Sequence, residues 1–172
     1  MNSMKKNVFS ELNGRLGNQM FIYAFCRALS LDLGATPILY DGLIRNSKID
    51  YRLSCFKLCE EIKCSSTWPA TIFHRFGLVI NAFLTDKVSR ASRLRIQRSI
   101  NPFLQGCGLF ICNEGYTRPI LSFLKKRTVF TIGYFQSEKF FLTHRTQIIQ
   151  DFSFREEIVN RCADWHQKIC NS

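Results

Sequence analysis

The sequence lacks the glycine patterns that most often hold nucleotides and the best-known hydrolase signatures. Its 172 residues contain neither GxGxxG nor GxxxxGK[ST], so the common dinucleotide and P-loop sites are not predicted. GxSxG and HExxH are also missing, which removes the usual serine-hydrolase and zinc-protease arrangements. The longest nearly apolar stretch, Phe76–Leu84, has nine residues, whereas a membrane-spanning helix needs roughly 20.

Metal-site spacing is missing as well, although the chain has eight cysteines and three histidines. No CxxC pair occurs, and the histidines are remote from the cysteine clusters, so no zinc site is predicted. No secretory signal opens the chain. We therefore expect a cytoplasmic protein, at most peripheral at a membrane, with thiols that are mostly reduced and buried.

Acidic residues are few, and the formal net charge is +11. From Lys87 to Asn113 there is none, while five Lys and Arg residues fall within Lys87–Arg98. A solvated basic segment is the ordinary interpretation. The alternative is a non-catalytic module that binds nucleic acid or an anionic membrane surface. Nucleic acid is the less favoured partner, because no aromatic residue is interleaved in this segment for base stacking.

Length and composition predict a single α/β domain over residues 1–172. The apolar fraction of 46% is ordinary for a globular protein. Lys5–Leu12 is predicted as a strand, Asn18–Leu33 as a helix ended by Gly34, and Pro37–Asp41 as a second strand. A strand, a helix and a strand in this order form a βαβ unit, which implies a parallel sheet flanked by helices.

Later elements are predicted from local pattern alone. Leu109–Cys112 and Thr128–Gly133 have strand composition, and Ser137 is placed to cap a helix from Glu138. Pro102 should break any helix in the basic segment. The remaining expectations are a short strand in Tyr51–Leu58, a helix from Ala70, a turn at Asn113–Tyr116, and an amphipathic helix at Phe154–Ile169 that covers one side of the sheet.

The stretch between the first strand and the first helix is the strongest candidate site. Gly14 and Gly17 allow a close backbone approach, and Asn18 could cap the helix. A helix start offers free N–H groups to an anion, and Arg15 adds a guanidinium. This combination suits a phosphate or a sugar hydroxyl. The alternative interpretation is a purely structural βα turn with a capped helix.

A second candidate follows the late strand, where Tyr134, Gln136 and Ser137 stand between a strand end and a helix start. Such positions often build binding sites. A structural turn whose aromatic residues belong to the core explains the same pattern.

Three segments together resemble one enzyme family. Residues 14–25, GRLGNQMFIYAF, resemble the N-terminal signature of the glycosyltransferase family 11 α-1,2-fucosyltransferases. Residues 132–141, IGYFQSEKFF, resemble that family's GY[FW]QSEKYF, and residues 51–58, YRLSCFKL, are similar to its YxLxxFx[IL] segment. The three matches occur in the family's order.

The resemblance implies a Rossmann-like N-terminal domain of a two-domain GT-B glycosyltransferase. Family members invert configuration as they transfer fucose from GDP-fucose to the 2-hydroxyl of a galactoside, without a metal or cofactor. By the motif match, the residues expected to bind substrate are Gly14, Arg15, Gly17, Asn18, Gln19, Tyr134, Gln136 and Ser137. Asn18 is the strongest candidate, as a hydrogen-bond donor towards the diphosphate or the acceptor. No general base is identified.

The chain departs from the family in one important respect. The family's HxRRxD motif, whose arginines contact the guanosine diphosphate, does not occur, and the second, nucleotide-binding domain is missing from the match. We therefore expect residues 1–172 alone to have no transferase activity. A third interpretation is a degenerate remnant without a selected function, with apolar surface exposed where a second domain would dock.

Overall fold

The computed structural model describes residues 6–47, 49–66, 89–112, 115–117, 119 and 121–170. Its strands are β1 (Lys6–Glu11), β2 (Ala35–Tyr40), β3 (Lys63–Ser65), β4 (Leu109–Cys112) and β5 (Thr128–Gly133). Its helices are α1 (Leu16–Leu33), α2 (Gly42–Asn46), α3 (Arg90–Gly106), α4 (Leu121–Leu124), α5 (Arg145–Asp151) and α6 (Glu156–Cys170). Short 3₁₀ turns lie at Leu53–Cys55, Glu138–Phe140 and Leu142–His144.

The five strands form one parallel sheet in the order β3-β2-β1-β5-β4. The predicted α/β class and parallel sheet are thus confirmed, and the architecture is Rossmann-like. Gly34 ends α1 in the left-handed conformation, with φ of 58°, as the sequence predicts. The sequence predicts the first βαβ unit correctly because the apolar runs, the glycine and the strand composition all indicate the same elements.

Two apolar clusters lie on opposite faces of the sheet. Successive side chains of a strand point to opposite faces, and β4 shows this directly: Phe110 belongs to the cluster that α1 covers, and Ile111 to the cluster that Leu104 of α3 covers. The first cluster is the larger and contains most of the buried aromatic residues. Helices on both faces therefore bury the sheet, as a parallel sheet requires.

Helix α3 continues through Pro102, so the predicted break at this proline is wrong. Gln97, Asn101 and Gln105, spaced four apart, are all buried, and Asn101 explains why. Its side-chain amide donates to Ile111 O (2.7 Å) and accepts from Ile111 N (3.2 Å). The contact satisfies backbone groups of the outermost strand, and this tertiary attachment outweighs the local cost of proline.

Two other predicted elements differ from the structure. Tyr51–Leu58 contains a 3₁₀ turn and one isolated antiparallel bridge, Phe56 to Phe154, in place of a strand. The turn buries Leu53 and Phe56 together in the main cluster, which an extended chain with alternating faces could not do. The predicted helix from Ala70 lies outside the described residues, as do Lys87 and part of the predicted turn at Asn113–Tyr116.

The predicted C-terminal helix forms as α6, but its described side chains do not cover the sheet. On the predicted apolar face, Phe154 precedes the helix and is 52% exposed, Ile158 is half-buried and Cys162 is exposed. The chain that enters α6 is held on residues 55–57 instead, since Arg155 N–H donates to Cys55 O (3.0 Å).

The described cysteines are free, but the expectation that most are buried is wrong. Only Cys26 and Cys112 are buried, whereas Cys55, Cys59, Cys64, Cys107 and Cys162 are at least partly exposed. Burial raises the pKa of the Cys26 thiol to about 12, so this residue is a neutral core side chain near pH 7. Of the two fully exposed cysteines, Cys64 lies in the short strand β3 and Cys162 in α6.

Replacement of Asn101 by alanine should destabilise the fold by about 2–4 kcal/mol, because a buried N–H and a buried C=O of Ile111 lose their partner. Urea unfolding measures this free energy. Ser99→Ala, an exposed change on the same helix, is the matched control and should stay within about 0.5 kcal/mol of the parent. Equal stability of the two variants would contradict the proposed attachment of the edge strand.

Candidate functional site

The candidate residues of both sequence segments lie at the carboxyl ends of two neighbouring strands. β1 pairs with β5 in parallel, with Ser10 opposite Thr131, and the two hydroxyls share a buried hydrogen bond of 2.6 Å. The loops that leave β1 and β5 therefore emerge side by side. In open parallel sheets, ligands characteristically bind at this edge.

The first loop needs glycine at one of its two glycine positions. Gly14 has φ of 73°, and a Cβ there would overlap the side chain of Asn18. Its N–H donates to Asn13 Oδ1 (2.7 Å). Gly17 has open space around it and lies inside the first turn of α1. Gly14 thus lets the Asn18 amide lie directly against the backbone, whereas Gly17 leaves the helix start uncovered.

Helix α1 begins two residues earlier than predicted, so Asn18 is not its N-cap. Arg15 occupies that position and makes no side-chain capping bond. The first intrahelical bond runs from Gln19 N–H to Arg15 O (3.0 Å). The N–H groups of Leu16 and Gly17 precede it, as the orphan donors that every helix start has, and the exposed Arg15 lies beside them. This corner can accept an anion.

Asn18 is instead tied to the second loop. Gln136 Nε2 donates to Asn18 Oδ1 over 2.8 Å, between residues 118 positions apart in the chain. Because the amide oxygen of Asn18 is engaged by Gln136, its nitrogen faces the Gly14 backbone and retains donor capacity. The two side chains predicted separately as site residues are therefore in direct contact.

The second loop owes its shape to a strained aromatic residue. Phe135 has φ of 50°, an unusual value for a residue other than glycine. Its ring is buried and stacks on Phe25, with centroids 4.1 Å apart. Core packing thus supports the strained backbone. Gly133 is also required, since a Cβ there would overlap Cys112 O.

Around Phe135, the neighbouring residues take three different roles. Gln136 is exposed and Tyr134 is half-buried, with its N–H bonded to Cys112 O (3.1 Å). Ser137 caps the 3₁₀ turn Glu138–Phe140, where its Oγ accepts from Lys139 N–H (3.4 Å). The predicted cap is confirmed, although it begins a single 3₁₀ turn. Of the three predicted residues, Gln136 is the one whose side chain reaches the first loop.

The side chain of Gln19 fixes the first loop by hydrogen bonds. Its side chain is fully buried. The amide donates to Gly14 O (3.0 Å) and Asp50 O (2.8 Å) and accepts from Arg52 N–H (3.0 Å). These bonds join the first loop to the chain at Tyr51–Leu58, the third segment of the family resemblance. The structure therefore gives Gln19 a supporting role, and all three segments meet at one place.

Two acidic residues at the same edge of the sheet were not singled out from the sequence. Glu11 ends β1 and Asp41 follows β2, and both are buried. Asp41 Oδ2 accepts from Arg45 Nε (2.7 Å). Burial raises the pKa of nearby Tyr51, and the charge of Asp41 acts in the same direction. An acidic residue directly after an apolar strand, as in PILYD, was the signal that could have pointed to Asp41.

At the edge where Asn18 contacts Gln136, Asn18 is half-buried and Gln136 is exposed. Two cavities of about 310 and 410 Å³ lie elsewhere on the described surface, and none of the eight predicted site residues lines either of them.

Among the described residues, no group of three His, Cys, Asp or Glu side chains could hold a metal ion. No helix within the described ranges is long and apolar enough to cross a membrane.

The two glycines should respond oppositely to alanine. Gly14→Ala should cost about 2–3 kcal/mol of unfolding free energy, because the left-handed backbone disfavours a Cβ and the new atom displaces Asn18. Gly17→Ala should be neutral or stabilising by up to about 1 kcal/mol, since it replaces glycine in a helix with open space nearby. Urea unfolding of both variants checks this. A stable Gly14→Ala protein would refute the loop geometry.

The candidate site consists of the carboxyl edge of β1 and β5, the two loops that leave it, and the contact between Asn18 and Gln136. No protein-family model, no curated protein and no solved structure matches the chain. What the site does must therefore be argued from its own residues and contacts.

Proposed function

We propose that this chain is the N-terminal, Rossmann-like part of an inverting α-1,2-fucosyltransferase of the GT-B type. The substrates of the proposed reaction are GDP-fucose and a galactoside whose 2-hydroxyl accepts the sugar. The observation that carries the proposal is the convergence of the three segments that resemble the family. Asn18 contacts Gln136, and Gln19 contacts the backbone of Asp50 and Arg52.

This convergence supports the proposal because the resemblance rests on the amino-acid sequence, which does not state which segments touch in the fold. Segments that begin at residues 14, 51 and 132 are far apart along the chain, and chance similarity gives no reason for them to touch. Two of the joining bonds come from adjacent residues of one motif, Asn18 to one side and Gln19 to the other. A site assembled from several segments at the carboxyl ends of parallel strands is a common arrangement for ligand binding in such sheets.

The residues at this edge suit neutral and anionic oxygen ligands. Asn18 offers an oriented amide nitrogen, and Gln136 an exposed amide whose oxygen can accept from a sugar hydroxyl. The helix start and Arg15 supply partial and full positive charge for a diphosphate oxygen. In the proposed reaction these groups hold the donor diphosphate or the acceptor hydroxyl in position, and proximity of this kind contributes to the rate.

The same chemistry explains why residues 1–172 alone should be inactive. Fucosyl transfer develops positive charge on the sugar and negative charge on the departing diphosphate, and fixed donors must stabilise that leaving group. The HxRRxD arginines that serve this purpose in the family do not occur here. Loss of one such donor typically costs about 10²–10³ in rate.

Incubation of the chain with GDP-fucose and lactose or N-acetyllactosamine should yield no fucosylated product above the enzyme-free control. Labelled fucose transferred to the acceptor is the measured quantity. Product formation that persists in Asn18→Ala would contradict both the assigned site and the expected inactivity.

Binding tests the site without turnover. Amide NMR of the labelled chain should show saturable, weak shifts in the loops after β1 and β5 on addition of GDP-fucose or lactose. Asn18→Ala and Gln136→Ala should each weaken that binding by about fivefold to tenfold, the usual worth of one hydrogen bond. Gln147→Ala, an exposed change on α5, is the matched control. If neither ligand shifts these loops at millimolar concentration, the proposal fails.

A further inference from the structure

Helix α3 presents an outward face that has no acidic residue and two exposed apolar side chains. Gln97, Asn101 and Gln105 face the sheet edge, so the opposite face of the helix points outward. Phe103 is 71% exposed and Ile96 is 36% exposed. They are seven residues apart, which places them on one line along the helix. Single exposed apolar residues are common, but here two of them lie on one line of a basic helix, and interfacial helices likewise combine apolar side chains with Lys and Arg.

Arginines flank this line. Arg95 and Arg98 are exposed, and within the described ranges neither is recorded in an ion pair. On the helix, Arg95 and Arg98 lie on one side of the outward face, and Ile96 and Phe103 on the other, with Ser99 between them. A flat surface that touches this face therefore meets positive charge and apolar side chains together.

More positive charge stands at the C-terminal end of α3. Lys125, Lys126 and Arg127 are all exposed in the turn before β5. A Cβ built on Gly108, just beyond α3, would lie 3.9 Å from the Lys126 side chain, so this turn adjoins the helix end near Phe103. From residue 87 to residue 137 the sequence has nine Lys and Arg residues and a single acidic one, Glu114.

We propose that the outward face of α3, together with the turn at Lys125–Arg127, is a docking surface for an anionic lipid bilayer. The positive charge complements anionic headgroups. Phe103 and Ile96 enter the boundary between headgroups and acyl chains, as the apolar side of an interfacial helix does. This surface lies on the β4 side of the sheet and is separate from the contact of Asn18 with Gln136, so the inference does not depend on the proposed transferase function.

The apolar line favours a bilayer over a nucleic acid. A polynucleotide is held mainly through its phosphates, with aromatic stacking where bases are exposed. An apolar side chain such as Ile96 contributes little to a contact with phosphates. A single convex helix also offers no groove that could follow a nucleic-acid strand. A bilayer uses both the charge and the apolar side chains.

Sedimentation of the chain with vesicles tests the proposal. Vesicles of phosphatidylcholine with phosphatidylglycerol should bind the chain, vesicles of phosphatidylcholine alone should bind it far more weakly, and added salt should release it. The double change Arg95→Gln with Arg98→Gln should weaken binding on the order of tenfold, as expected for two cations at the surface. Ile96→Ala with Phe103→Ala should weaken it by a similar factor.

Control variants elsewhere on the surface test whether vesicle binding depends on this face of α3 or only on the total charge and apolar surface of the chain. Arg52→Gln with Arg145→Gln removes two exposed arginines, and Leu142→Ala with Ile149→Ala removes two exposed apolar side chains. Both controls should bind vesicles like the parent, and all variants should keep the parent's unfolding midpoint in urea. Equal losses in the controls, or equal binding to neutral vesicles, would overturn the proposal.

Binding to polyuridylate is the remaining measurement. A chain that binds polyuridylate with steep salt dependence through Arg95 and Arg98, yet does not sediment with anionic vesicles, uses this face for nucleic acid. That result would refute membrane docking.

Discussion

The parallel pairing of β1 with β5 is the constraint on which the candidate site depends. It places the loops after residues 11 and 133 at one edge of the sheet, although more than a hundred residues separate them. The buried hydrogen bond between Ser10 and Thr131 fastens this pair of strands just below the edge. Thr131 Oγ1 also donates to Phe9 O (3.3 Å), so loss of Thr131 would remove a buried partner of Ser10, whereas loss of Ser10 would leave Thr131 bonded to the backbone. The contact of Asn18 with Gln136 exists only while this register is kept.

Two buried side chains then shape the loops themselves. Gln19 uses its whole amide to fasten the Gly14 loop to the chain at residues 50–52. Phe135 adopts a strained backbone that its stacking on Phe25 supports. Each replaces a flexible turn by a rigid one, and rigidity lets a binding edge hold its polar groups ready for a ligand. The half-buried Asn18 and the exposed Gln136 thus owe their positions to neighbours that no ligand needs to touch.

The region around the outermost strand β4 and the carboxyl edge of β1 and β2 differ in the residues that they contain. At the β4 end, α3 closes the outermost strand with Asn101 and turns a basic face with Phe103 outward. At the carboxyl edge of β1 and β2, Glu11 and Asp41 are buried acidic residues. The proposed lipid-docking face of α3 and the proposed ligand site at Asn18 and Gln136 occupy different parts of this domain.

Local pattern by itself determined the first βαβ unit, the strands β4 and β5, and the left-handed Gly34, because each depends on neighbours within a few residues. It also pointed to Gly14, Asn18 and Gln136 as residues of interest. Only the tertiary structure decided what they do. Asn18 left the N-cap position because Gln136 engages its amide, Gln19 became a buried support, and Pro102 stayed within a helix because Asn101 bonds the edge strand. The physical reason is common to all three: a hydrogen bond to a partner distant in the chain outweighs a local preference of about 1 kcal/mol, and such partners cannot be read from neighbouring residues.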